Sequence, residues 1–209
     1  MNGHLIVVEL SSDPMTLEQV LRQVERWQPE GIAIDAPLVI PNQTGQRDCE
    51  RQVGRQHGNK GACCHTSNLG LYPDALSVQL SRQLLAAGFT YQQGKHWQIE
   101  CYPHPALIEI FGLDYRLAYK KGLAKEKRAG QIQLARHMLS LANHPQLPMQ
   151  LPSSCANWLQ PEVINNLKGT ALKQNEDRLD ALVCLYIAFR HHQGQSLCFG
   201  STEQGHIVI

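Results

Sequence analysis

Hydrophobic positions along this chain follow two rhythms: short apolar runs closed by glycine or proline, and longer stretches with an apolar residue every three or four positions. The clearest short run is Gly31-Ile32-Ala33-Ile34-Asp35-Ala36-Pro37. It is too short for a helix, and Pro37 has no N–H to extend a ladder, so it predicts a buried strand delivering Asp35 to its end. Trp97 to Tyr102 repeats the layout, with Glu100 near the strand end and Pro103 closing it. His4 to Glu9, with Ile6, Val7 and Val8, predicts a third strand. Ser11 to Trp27 carries Leu17, Val20, Leu21 and Val24 at helical spacing, with Ser and Asp available as a cap. The resulting β-α-β order predicts that the first strand and the Asp35 strand form a parallel pair.

Further helices are predicted at Arg47 to Arg55, from Pro73-Asp74 to about Ala87, and at His104 to Phe111, ended by Gly112. Others run on from the basic stretch to about Leu141, near Pro161 to Leu167, and from Glu176 to His191, capped by Asn175. The chain closes in a hairpin-like segment, Ser196 to Ile209, turning at Gly200 or Gly205. The stretch near 42–72 reads as a polar loop-and-helix insertion, and Pro145, Pro148 and Pro152 mark a linker near 143–153. At 209 residues the whole fits a single domain.

Composition narrows the class. A formal charge of +1 gives no global pull toward polyanions, so a nucleic-acid site must come from local clustering. No apolar run approaches a membrane span, and Met1 to Leu10 lacks the features of a signal peptide. Seven mostly scattered cysteines predict a reducing, cytoplasmic setting over a disulfide framework.

Asp177 and Asp180 stand three apart on the last predicted helix, so both project from one surface. Glu176 and Asp177 in a first helical turn would favourably meet the helix dipole. With Asp35 and Glu100 at strand ends, the same carboxylates form an oxygen-donor set suited to Mg²⁺ or Mn²⁺. The one marked basic cluster runs through Lys120, Lys121, Lys125, Lys127 and Arg128, either a solvated face or a stripe that steers a phosphate backbone. His57, Cys63, Cys64 and His65 lack the ligand spacing of a structural zinc site, and a neighbouring Cys64-His65 pair rarely points correctly for proton transfer.

Five segments in order, AIDAPLVIPNQTGQRDCERQVG, IECYPHPALIEIFG, YKKGLAKEKRAGQIQL, DRLDALVCLYIAFR and a closing GHIVI, resemble the bacterial and archaeal family of predicted RNase H-like nucleases numbered 429 among the domains of unknown function. The likeness spans roughly residues 31–209. It implies an RNase H-like α/β fold, a mixed sheet flanked by helices, with Asp35, Asp177 and Asp180 as metal ligands. Glu100 matches the acid of an E-x-Y-P motif, and Arg47 an arginine following the first acidic strand. The likeness also suggests that Cys64 to Asn68 forms a loop over the acidic site, with Thr66, Ser67 and Asn68 offering hydrogen bonds to a substrate; Lys120, Lys121 and Arg128 of the basic run are the further candidate substrate contacts.

One feature of such sites is missing: an Asp on a first strand, in a G-[IV]-D pattern followed by a hairpin. HLIVVEL resembles a later strand of that hairpin, with Glu9 the residue available as a substitute. Either the start lies inside a longer gene, with the first strand or hairpin truncated, or the chain is a divergent form lacking one acid. The expected function is accordingly metal-dependent phosphodiester hydrolysis, with a non-catalytic nucleic-acid or nucleotide-binding protein as the alternative. Glu100 is expected close enough to Asp35 for the two to repel, with a divalent cation compensating. On that view Glu100→Gln raises the stability of the metal-free protein.

Overall fold

The computed structural model describes residues 3–11 and 13–209. Met1, in the stretch searched above for a signal peptide, and Ser12, among the candidate caps, lie outside the described residues. In chain order the elements are β1 (Leu5–Ile6), α1 (Leu17–Trp27), β2 (Gly31–Ile34), α2 (Asp48–His57), α3 (Leu76–Ala86), β3 (Thr90–Tyr91), β4 (Trp97–Glu100), α4 (Pro103–Phe111), α5 (Ala124–Ser140), β5 (Met149–Gln150), α6 (Ser153–Trp158), α7 (Pro161–Asn165), α8 (Gly169–His192), β6 (Cys198–Ser201) and β7 (Gly205–Val208). The described residues thus make an α/β protein of eight α-helices with parallel strand pairing. Contacts divide the chain into two compact units: Met1–Pro14 with Leu117–Gln193, and Met15–Arg116 with Gly194–Ile209.

The second unit is built on β2 and β4, which pair in parallel from Gly31 opposite Trp97 to Ile34 opposite Glu100. Gly31 is required there, because a Cβ would run into the Trp97 ring. β3 flanks β4 on its other side, and β7 continues along β4 through a parallel bridge between Cys101 and Val208. Every residue of β4 is buried, and Gln98 satisfies its amide nitrogen on the carbonyls of Ser81 and Phe89. α2 packs against the β6–β7 hairpin. Pro103 starts α4 at a position where its missing N–H costs nothing, and Gly112, at φ 61°, ends it in the left-handed region. Thr16 caps α1: its hydroxyl accepts from the Gln19 amide, while the Gln19 side chain accepts from the Thr16 amide. The cap thus falls beyond the Ser and Asp expected for it.

In the first unit α5 packs against α7 and α8 around Leu134, Met138, Ile164, Leu179, Val183 and Ile187. β1 pairs in parallel with β5, not with β2, so the predicted β-α-β pair does not form. Strand propensity identified both strands but carries no information about which distant strand satisfies each backbone edge.

α8 also departs from its predicted start. It begins at Gly169, so Asn175 is not its cap but a buried interior residue whose amide donates to Gln131 Oε1 at 2.8 Å. Gln131 in turn donates to the Leu172 carbonyl at 3.2 Å. A polar residue that can cap can equally be satisfied by a neighbouring helix, and spacing alone does not separate the two.

Candidate functional site

The displaced start of α8 changes the meaning of its acids. Glu176 and Asp177 lie two turns inside the helix, whose first turn has no acidic residue. The dipole acts within a terminal turn and does not explain them. Glu176, Asp177 and Asp180 each offer an oxygen within 4.8 Å of the others, and they are the one such His, Cys, Asp or Glu group among the described residues. Glu176 and Asp180 are buried, and Asp177 opens to solvent.

Each acid is held by a neighbour. Lys173 Nζ lies 2.8 Å from Glu176 Oε1 and 2.6 Å from Asp177 Oδ1, one turn away on the same helix. The Tyr119 hydroxyl donates to Asp180 Oδ1 at 2.6 Å, and Lys120 Nζ lies 2.9 Å from Asp180 Oδ2. Tyr119 and Lys120 reach Asp180 because Gly130 lets α5 meet their backbone, where a Cβ would overlap the Ala118 carbonyl. Burial pushes the Asp180 carboxyl above its ordinary value of 3.8; Lys120 and Tyr119 oppose that push and Glu176 adds to it.

The rest of the basic run differs from Lys120. Lys121 is exposed, while Arg128 spends an Nη1 hydrogen on the Leu167 carbonyl at 3.2 Å.

In the second unit the register that sets Ile34 opposite Glu100 brings Asp35 just past the end of β2, where it is exposed. Glu100 faces inward. Arg47 grips it at two points, Nη1 to Oε2 at 2.8 Å and Nη2 to Oε1 at 2.6 Å. Its Nε donates to Glu50 Oε1 at 2.8 Å, and Nη1 also reaches the Val39 carbonyl at 3.0 Å. Backbone amides complete the network: Leu38 donates to Glu100, and Arg47 and Ser67 both donate to Glu50 Oε2. Burial pushes the Glu100 carboxyl up, the Arg47 contacts and the Leu38 amide pull it back, and Glu50 adds a smaller upward push. An internal guanidinium thus compensates Glu100, in the role for which the sequence predicted a divalent cation.

The loop residues expected to meet substrate are partly committed elsewhere. Ser67 is buried with its amide on Glu50, and Asn68 donates to the Gly45 carbonyl and accepts from the Leu71 amide. Thr66 remains half-buried. All seven cysteines are free. Burial raises the Cys64 thiol, which leaves little thiolate for nucleophilic chemistry.

Within the first unit the structure therefore joins Asp177 and Asp180, and within the second it joins Glu100 and Arg47. Glu176 and Glu50 were not among the predicted site residues. The i, i+3 spacing of Arg47 and Glu50 and the adjacency of Glu176 to Asp177 were the available signals. Among the described residues no helix is long and apolar enough to cross a membrane. No curated protein and no solved structure matches the chain. A family match does exist: the chain belongs to the family described as Protein of unknown function (DUF429), which is matched over residues 1–204.

Proposed function

We propose that the protein is a divalent-cation-dependent nuclease of RNase H-like fold, hydrolysing phosphodiester bonds with Mg²⁺ or Mn²⁺ held by Glu176, Asp177 and Asp180. The observation that carries this reading is the gathering of three carboxylates within 4.8 Å in the interior of α8, where the helix dipole gives no account of them. The donor set fits the group: hard cations take carboxylate oxygens at about 2.0–2.6 Å, so ligands sharing one ion lie within about 4–5 Å of one another. When bound, such a cation polarises the phosphoryl group and lowers the pKa of water.

The residues of the chain orient and charge the site. Tyr119 and Lys120 fix the two Asp180 oxygens, which keeps the carboxylate from rotating out of the cluster. Lys120, a quarter exposed, and the exposed Lys121 offer positive charge to a phosphate backbone. Lys173 lies on the solvent side of the cluster and is the counter-ion that an incoming cation displaces.

That same observation supports a second reading, a non-catalytic nucleic-acid or nucleotide-binding protein, because Lys173 and Lys120 already neutralise the acids without metal. The deciding experiment incubates end-labelled single-stranded and duplex DNA and RNA with the protein in Mn²⁺, Mg²⁺ or EDTA. The nuclease reading expects cleavage in metal, none in EDTA, and loss of cleavage in Asp180→Asn. Retention of nucleic acid without cleavage under every condition assigns the second reading.

A further inference from the structure

A clasp in the second unit holds an exposed aromatic ring beside two cations. The turn Gly58–Lys60 that follows α2 meets the segment after α4: the Arg116 amide donates to the Lys60 carbonyl at 2.9 Å, and Lys60 Nζ reaches the Leu113 carbonyl at 3.5 Å. Tyr115 folds back over this junction, with its Cζ and Oη against the Gly61 backbone. Gly61 is needed there twice, for its left-handed φ of 77° and because a Cβ would strike the phenol. The ring is thus backed by the turn while Tyr115 stays 59% exposed.

The charges beside the ring are uncompensated. Lys60 and Arg116 are half-buried, and neither forms an ion pair among the described residues. Asp114, next to Tyr115 in the chain, is exposed and pairs with neither of them. Lys60 spends one hydrogen at the carboxyl end of α4, where a cation meets the helix dipole, and keeps two. Arg116 commits its backbone amide, and none of its five guanidinium hydrogens is bonded among the described residues. Burial pushes the Tyr102 phenol up, Cys64 adds to that push and the Arg116 guanidinium opposes it, so the Arg116 charge lies near Tyr102 just past β4. Tyr102 also feels the Asp35 carboxylate, which sets the clasp beside the end of β2. Two half-buried cations on joined backbone repel each other, and an anion is the group that relieves the repulsion.

An open ring with cations at its side is the combination that single-stranded nucleic acid uses: bases stack on aromatic faces whatever their sequence, and lysine and arginine take the phosphates. A duplex keeps its base faces inside and offers none to Tyr115, while an acidic peptide would use the cations and leave the ring idle. We propose that Tyr115, Arg116 and Lys60 form a stacking platform for single-stranded nucleic acid, with one base on the Tyr115 ring and the neighbouring phosphates on Arg116 and Lys60. The inference rests on the nuclease reading only for the fate of the bound strand. A free nucleotide shares the chemistry of base and phosphate, but two cations suit a strand, which carries a phosphate on each side of its base.

The test is fluorescence anisotropy of labelled dodecamers, single-stranded oligo-dA and oligo-dT and the duplex they form, added to the full chain in EDTA over a range of salt concentrations. It uses wild type, Tyr115→Ala, Tyr115→Phe and Arg116→Gln, with folding checked by circular dichroism. The expected result is single strands bound at least fivefold tighter than duplex. Tyr115→Ala weakens that binding by roughly five- to a hundredfold and leaves its salt slope unchanged, whereas Tyr115→Phe, which keeps the ring, binds like wild type. Arg116→Gln lowers the salt slope by about 0.7, the loss of one phosphate contact on a single strand. Duplex bound as tightly as single strands, Tyr115→Ala equal to wild type, Tyr115→Phe as weak as Tyr115→Ala, or no binding of any probe overturns the platform. An unchanged salt slope in Arg116→Gln overturns it too, whether or not Tyr115→Ala folds. Displacement of the strand by AMP at equal base concentration overturns the assignment to a strand. If Tyr115→Ala cleaves nucleic acid in Mn²⁺ as efficiently as wild type while the binding pattern fails, the nuclease reading survives without the platform. If the pattern appears in a protein that never cleaves, the platform survives alone.

Discussion

Arg47 and Glu100, 53 positions apart, meet in a two-point ion pair with contacts of 2.8 and 2.6 Å, their side chains 1% and 4% exposed. Such a pair ties α2's entry to the end of β4. Removing Arg47 leaves two buried carboxylates, Glu50 and Glu100, without their cation, which costs about 3–5 kcal/mol. Arg47→Met is therefore expected to lower the thermal midpoint by on the order of 10 °C for a chain of this size. Arg47→Lys recovers only part of that loss, because an ammonium cannot span both oxygens. Differential scanning calorimetry checks both.

Glu100→Gln gives the sharper contrast. Repulsion relieved by metal would make this variant more stable in EDTA. The observed guanidinium instead predicts a loss of about 1–3 kcal/mol, equal with Mn²⁺ and with EDTA, since the substitution unpairs a buried donor whichever ion is present. Melts of wild type and variant under both conditions measure it.

How far the fold could be read from the chain follows from these residues. The β2 and β4 strands were legible because a short apolar run ending at Pro37 or Pro103 has few other meanings, and their parallel pairing set Asp35 and Glu100 at neighbouring strand ends as expected. Arg47 as the partner of Glu100 was not legible, because long-range charge pairing leaves no periodic trace. β1, only Leu5–Ile6, was visible because it sits in a run with Ile6, Val7 and Val8, whereas its equally short partner β5, Met149–Gln150, lies between Pro148 and Pro152 in the stretch read as a linker. Asn175 looked like a cap because Gly169 and the polar residues after it mask the first turns of α8. The pairing of Asp177 with Asp180 was readable from helical spacing. Their support by Tyr119 and Lys120, from outside the helix, was not.

The raised Asp180 carboxyl predicts a pH dependence of definite sign. Stability contributed by its protonated form is fully present below the ordinary value of 3.8 and is lost as pH rises through the higher folded-state value. Asp180→Asn removes that component. The stability difference between variant and wild type should therefore shift in the variant's favour as pH rises across that window. Urea denaturation of both proteins at a series of pH values tests this. Protons should also compete with Mn²⁺ to a higher pH than at an ordinary aspartate.

Lys173 shares its ammonium between Glu176 and Asp177 while 60% exposed. The ammonium and Asp177 are open to solvent, but Glu176 is buried and loses its counter-ion, so Lys173→Met should lower the stability of the metal-free protein by about 1–3 kcal/mol. Removing this internal counter-ion should tighten Mn²⁺ binding several-fold. Chemical denaturation and metal titration of the same sample separate the two effects.

Gly130 allows the close approach of α5 to the Tyr119–Lys120 backbone. Gly130→Ala forces the two apart and should cost about 1–3 kcal/mol by overpacking. It should also weaken Mn²⁺ binding by disturbing the two residues that hold Asp180. A variant that loses stability but keeps full Mn²⁺ affinity would show that Tyr119 and Lys120 do not position the acid.

The most direct measurement is calorimetric titration of Mn²⁺ into metal-free wild type, Asp177→Asn and Asp180→Asn at neutral pH, with folding of each verified by circular dichroism. A metal centre on α8 predicts saturable binding to wild type, weakened at least tenfold in each variant while the fold is retained. Absence of saturable binding to wild type, or equal affinity in all three folded proteins, would contradict a metal centre on α8 and with it the nuclease reading.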